Sequence, residues 1–176
     1  MKMKHHFINS VRSRHKIGVR LPKRERLYEY TGLKPVEFSN LKNCRRKVWL
    51  SAYFAEQFQE MDYWNLGLRR QESAKEQVSY ILNFYAEGAH RLDDTFHYRA
   101  LKGFDYPVYE LKTQDIRIFG FLLRPGEFCA VLAKPKGDLL RYKLYEKPIK
   151  EVISFIEELL LPSPKFSKDR FDAIFK

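Results

Sequence analysis

The stretch from Ser73 to Ala133 leaves this chain few ways to fold. Tyr106–Leu111, Ile116–Leu123 and Phe128–Ala133 are short runs rich in aromatic and β-branched residues, which the pattern predicts as strands. Between the second and third, Arg124-Pro125-Gly126-Glu127 puts Pro at i+1 and Gly at i+2 of a tight turn. Three neighbouring strands with short connections imply an antiparallel meander. A helix precedes them: Ser73 suits an N-cap, with Glu76 three residues on completing a capping box. Val78, Ile81, Leu82 and Tyr85 then fall on one face, and Gly88 ends the helix as a C′ residue.

Outside that stretch the charge is uneven. The 176 residues carry a net charge of +11, which implies a polyanionic partner. Residues 1–28 alone hold nine Lys/Arg against the single acid Glu25. Residues 1–45 show little periodicity and read as a basic arm, either a solvated tail or a segment that orders on RNA phosphates. Arg12, Arg14, Arg20, Lys23 and Arg24 are its candidate RNA contacts. The apolar fraction of 44% suffices for a core, placed over residues 46–161, with 162–176 as a C-terminal tail. The two cysteines, Cys44 and Cys129, lack metal or redox spacing, which favours a reducing, cytoplasmic setting; Cys129 reads as a small core residue. No signal-peptide or membrane-spanning run is apparent, so no membrane partner is expected.

Arg46–Phe54 reads as a strand with Trp49 and Tyr53 in rough alternation, and a helix follows over Ala55–Arg70 until Gly67 interrupts it. After the strands, Lys134–Lys147 reads as a basic loop. Pro148 opens a second amphipathic helix with Ile149, Val152, Ile153 and Ile156 on its buried face, and Pro162 stops it. The fold class expected is α+β: a small antiparallel sheet of about four strands, helices packed mainly on one face, and a basic N-terminal arm.

This order is strand, two helices, three antiparallel strands, helix. Over roughly residues 46 to 161 the text resembles the RelE/HigB-like toxins, ribosome-associated mRNA interferases. Those proteins carry a Leu-Lys-Gly segment, a Tyr-Glu-Leu-Arg strand and an Arg-Val-Phe-Tyr strand. The matching pieces here are Ala100-Leu101-Lys102-Gly103, Tyr109-Glu110-Leu111-Lys112 and Ile116-Arg117-Ile118-Phe119, with Lys134, Lys136 and Lys147-Pro148 near the family's lysines and final Pro. Lys112 departs from the usual arginine, the loop from Gly137 to Glu146 is longer, and the arm has no counterpart.

The resemblance implies endoribonuclease activity on mRNA, translation inhibition, and an antitoxin as protein partner. The expected reaction is attack of a ribose 2′-OH on the adjacent phosphate. It needs no metal or cofactor, only a base, cations on the phosphorane and an acid for the leaving oxygen. Arg117, where the resemblance places a phosphate-binding arginine, is the first candidate; the competing reading is an arginine paired with Glu110 on the next strand. Lys134, Lys136 and Tyr145 complete the candidate catalytic set. Lys112, Arg141, Tyr142 and Lys143 are candidate RNA contacts, by charge or by base stacking. His90 and His97 are candidate bases or ordinary loop histidines.

Two rivals remain. One is a metal-dependent nuclease in which Glu110 and Lys112 form a Glu-x-Lys strand with Asp93 or Asp94 upstream. The other is a protein of the same build that binds mRNA, ribosomal RNA or the ribosome without cutting.

Overall fold

The computed structural model describes residues 32–39, 41, 43–64, 66, 72–88, 98–101 and 106–159. The arm candidates Arg12, Arg14, Arg20, Lys23 and Arg24, the loop residues His90, Asp93, Asp94 and His97, and the tail 162–176 lie outside them. The elements are β1 (Lys34–Pro35), β2 (Lys47–Leu50), α1 (Ala52–Glu60), a 3-10 turn (Met61–Tyr63), α2 (Ala74–Glu87), β3 (Tyr98–Leu101), β4 (Val108–Lys112), β5 (Ile116–Arg124), β6 (Glu127–Pro135), α3 (Lys136–Arg141) and α4 (Glu146–Glu158).

The α+β class holds, with three corrections. Among the described residues the sheet has six strands, in the order β1-β2-β6-β5-β4-β3, not about four. It is mixed, because β2 runs parallel to β6 while every other pair is antiparallel. The added strands are four residues or fewer, too short for a period-two pattern to register. Leu33 is fully buried and Lys34–Pro35 pair with β2, so this part of the expected arm belongs to the sheet.

Helices cover both faces rather than mainly one. Phe54 of α1, Met61, and Val78, Ile81, Leu82 and Tyr85 of α2 pack with Leu111, Ile116, Ile118 and Phe128 on the first face. Leu139 of α3 and Ile149, Val152 and Ile156 of α4 pack with Val108, Phe119, Phe121 and Leu132 on the second. The six-residue run Ile116–Phe121 of β5 is buried on both sides. Apart from Arg117 the run carries no polar side chain on either face, and it does not announce a second helical layer.

The local signals act as the residues dictate. Both halves of the Ser73–Glu76 capping box form, and Gly88 takes the left-handed conformation at φ 61°. Gly126 has φ 73°, as position i+2 of the expected turn requires, and Arg124 faces Glu127 across it. Two spans differ. α1 starts at Ala52, earlier than expected, because the Ser51 hydroxyl accepts the Phe54 N–H at 3.0 Å and caps it. The expected loop after β6 contains α3, anchored by Leu139.

β2 covers only Glu127–Ala130 of β6, leaving the rest of that strand without a neighbour on one side. Side chains of the α1 region take the place of a strand. Ser51 Oγ donates to the Val131 carbonyl at 2.8 Å. The Gln57 amide accepts the Ala133 N–H at 2.9 Å and donates to the Ala133 carbonyl at 3.4 Å. Buried backbone groups that lack a partner are costly, and an open edge invites other chains.

Candidate nucleic-acid interface

The β4–β5 and β5–β6 registers bring three of the candidate residues into one row. Arg117 lies opposite Lys112 on one side and Lys134 on the other. Directly opposed residues share a face with Cβ atoms about 5 Å apart, so three cations cross three neighbouring strands. The row continues the face that α4 covers, at the end of the sheet where β5 begins. Lys112 and Lys134 are half-buried and Arg117 is 9% exposed.

Beneath the row sits Glu110, two residues before Lys112 and wholly buried. Arg117 Nε approaches Glu110 Oε1 at 3.3 Å, and the Tyr145 hydroxyl donates to the same oxygen at 3.3 Å. The Tyr145 ring meets Phe119 edge-on at 6.1 Å. Arg117 Nη1 donates to the carbonyls of Thr113 at 2.5 Å and Ile116 at 2.9 Å. The arginine–Glu110 pairing weighed from the sequence is therefore what forms, and it is buried rather than on the sheet surface. The Arg117 guanidinium is engaged by protein acceptors, and the Tyr145 hydroxyl by Glu110. As arranged, they position the row more than they offer groups to a substrate.

The turn between β4 and β5 is held from three sides. Gln77 of α2 accepts the Thr113 hydroxyl at 2.8 Å and the Asp115 N–H at 3.1 Å, and donates to the Asp115 carboxylate at 3.1 Å. Arg117 grips the Thr113 carbonyl, and the Lys136 N–H donates to the Asp115 carbonyl at 2.6 Å. Gln77 is the residue that sequence reasoning missed. Its signal is a polar side chain on a buried helical stripe, three residues after Ala74 and four before Ile81. A fixed turn fixes the cations on either side of it.

The remaining candidates spread outward. Lys136 is half-buried at the first position of α3, next to the row through its backbone bond to Asp115. Lys134 and Lys136 have no ion-pair partner among the described residues. Arg141, Tyr142 and Lys143 are exposed at the α3–α4 turn, with the Arg141 guanidinium 5.9 Å from the Tyr142 ring centre. Among the candidates in the described residues only Lys143 lines a groove of about 680 Å³ beside α4, which Tyr53 and Glu158 also line. The basic row and the groove are separate features.

Of the metal-nuclease arrangement, Glu110 and Lys112 fall among the described residues and Asp93 and Asp94 do not. Glu110 is enclosed by Arg117 and Tyr145, and among the described residues no three His, Cys, Asp or Glu side chains cluster as metal ligands. No helix among them is long and apolar enough to cross a membrane. Comparison with known proteins adds no relative: no family model, curated protein or solved structure matches the chain.

Proposed function

We propose that this protein binds RNA through the basic end of its sheet, as a domain of RelE/HigB-like build. The observation that carries the reading is the Lys112–Arg117–Lys134 row, three cations in register across β4, β5 and β6. Cations about 5 Å apart on a rigid floor suit consecutive phosphate oxygens. The order β2, α1, α2, β4, β5, β6, α4 supports the RelE/HigB-like part of the reading, with β1, β3 and α3 as additions. Binding without cleavage is the form the geometry favours, because Arg117 and Tyr145 already serve Glu110. The chemical partner is then single-stranded mRNA or ribosomal RNA, held by its backbone.

One observation favours a second form, cleavage of mRNA by 2′-OH attack: Arg117 and Tyr145 meet at Glu110, with Lys134 opposite Arg117 on β6. In this form RNA draws Arg117 off Glu110 toward the phosphate, Lys134 or Lys136 neutralises the phosphorane, and Tyr145 moves a proton.

Fluorescent single-stranded RNA, with and without ribosomes, tests both forms together. The binding form expects salt-sensitive complexes with intact RNA, weakened about tenfold or more by joint Lys112→Gln and Lys134→Gln. Products ending in a cyclic phosphate, formed in EDTA, would move the conclusion to the cleaving form. Affinity unchanged in the double variant would remove the basic end from the interface altogether.

A further inference from the structure

The opposite end of the sheet carries a second set of exposed cations. Lys47 at the start of β2 and Arg124 at the end of β5 both lie opposite Glu127, one on each side of it. Lys47, Arg124 and Arg45 are exposed, and none has an ion-pair partner among the described residues. Glu127 does not stand among them as a surface acid: it is 8% exposed and accepts the Trp49 indole N–H at 3.3 Å. Two strand spacings separate Lys47 from Arg124, about 10 Å. That is the width of the Lys112–Arg117–Lys134 row.

The backbone beneath these cations is stitched to two elements. The N–H groups of Arg45 and Arg46 both donate to the Ala86 carbonyl, at 2.9 and 3.0 Å, in the last turn of α2. The Lys47 N–H donates to the carbonyl of Gly126 in the β5–β6 turn at 2.8 Å. Gly88 lets the segment come this close, since a Cβ there would lie 2.9 Å from Arg45 Cβ. The negative end of the α2 dipole accounts for a cation nearby, and Arg46 fills that role with its guanidinium 5.4 Å from the Tyr85 ring centre. It does not account for Arg124, which sits on β5.

We propose that this hairpin end is a second phosphodiester-binding site, so that one molecule bridges two stretches of RNA backbone. From Arg117 to Arg124 is seven strand residues, about 23 Å, so the two ends reach separate strands or separate segments of one folded RNA. The identity of the polyanion rests on the RNA-binding reading above; the site itself rests on its own residues.

The test uses the full chain and two short single-stranded RNAs, one carrying a donor dye and the other an acceptor. Wild type should bring them together, giving energy transfer and a stoichiometry of two RNAs per protein. The triple variant Arg45→Gln/Lys47→Gln/Arg124→Gln should bind one RNA, lose the transfer, and reduce the log–log salt slope by about 2, or roughly 0.7 for each phosphate no longer held. Arg46 is left in place, and an unchanged thermal midpoint reports that the fold is intact. Arg124→Gln alone, at an exposed turn residue, should reduce the transfer even if the triple variant misfolds. Transfer that persists in a folded triple variant, or a wild-type stoichiometry of one, overturns the proposal while leaving the first site standing. Binding that survives unweakened in the variants of both ends brings down both sites.

Discussion

Glu110→Ala leaves the Arg117 guanidinium nearly buried without its carboxylate, and such removals cost roughly 3–5 kcal/mol. Urea unfolding should register that loss, and Arg117→Ala should be comparably harmful from the other side. Replacing the pair together, as Glu110→Leu with Arg117→Met, should recover most of the stability, because two desolvated charges are then absent at once. RNA measurements on Arg117→Ala alone therefore confound binding with folding, which is why Lys112 and Lys134 are the better probes of the interface. The cysteines separate just as sharply. Burial holds the Cys129 thiol well above its usual range, while Cys44 is exposed. A thiol reagent at neutral pH should label one cysteine in the native protein and two in denaturant; two in the native state would contradict the packing of β6.

Among the elements, β6 shows how a helix can finish a sheet. Gln57→Ala removes both bonds to Ala133 and should destabilise by about 1–2 kcal/mol in urea. An effect near zero would mean that water serves that edge equally well. α2 offers a pH-dependent case. Hydrogen bonds from the Ser73 backbone and hydroxyl hold the Glu76 carboxyl below its ordinary 4.5. That contribution is complete above the unfolded value and disappears as pH falls through the folded one. Ser73→Ala should thus lower stability at neutral pH and make the loss on acidification below the ordinary carboxylate range shallower. The α2 cap, its apolar stripe and the Gly126 turn were legible because each depends on residues within one or two turns of chain. The second helical layer and the β2–β6 joint were not. They depend on which distant residues meet, and a strand buried on both faces looks the same whatever covers it. The candidate site was half legible: the sequence named Lys112, Arg117, Lys134 and Tyr145 and weighed the Arg117–Glu110 pair, but not that Tyr145 would join that pair or that Gln77 would hold the turn.

For the molecule as a whole, the net charge of +11 and two basic sheet ends predict strong salt sensitivity. If three or four phosphates are neutralised at the first end, the log–log slope for single-stranded RNA should lie near about −2 to −3, and steeper when the hairpin end and arm join in. A flat response between low and physiological salt would argue against backbone recognition.

The parallel joint of β2 with β6 also bears on how the chain is made. Trp49 meets Glu127 and Ser51 meets Val131 across gaps of 78 and 80 residues. Nothing built earlier in synthesis can stand in for β6, because β6 lies between β2 and β5 and joins the two halves of the sheet. Until it emerges, the β1–β2 pair has no further strand to join, and α1 has no edge to cap. The early part of the chain therefore waits for the late part, and pairings this distant slow folding. A nascent chain stopped before Glu127 holds two separate pieces, the β1–β2 pair and the β3–β4–β5 strands, with nothing to join them.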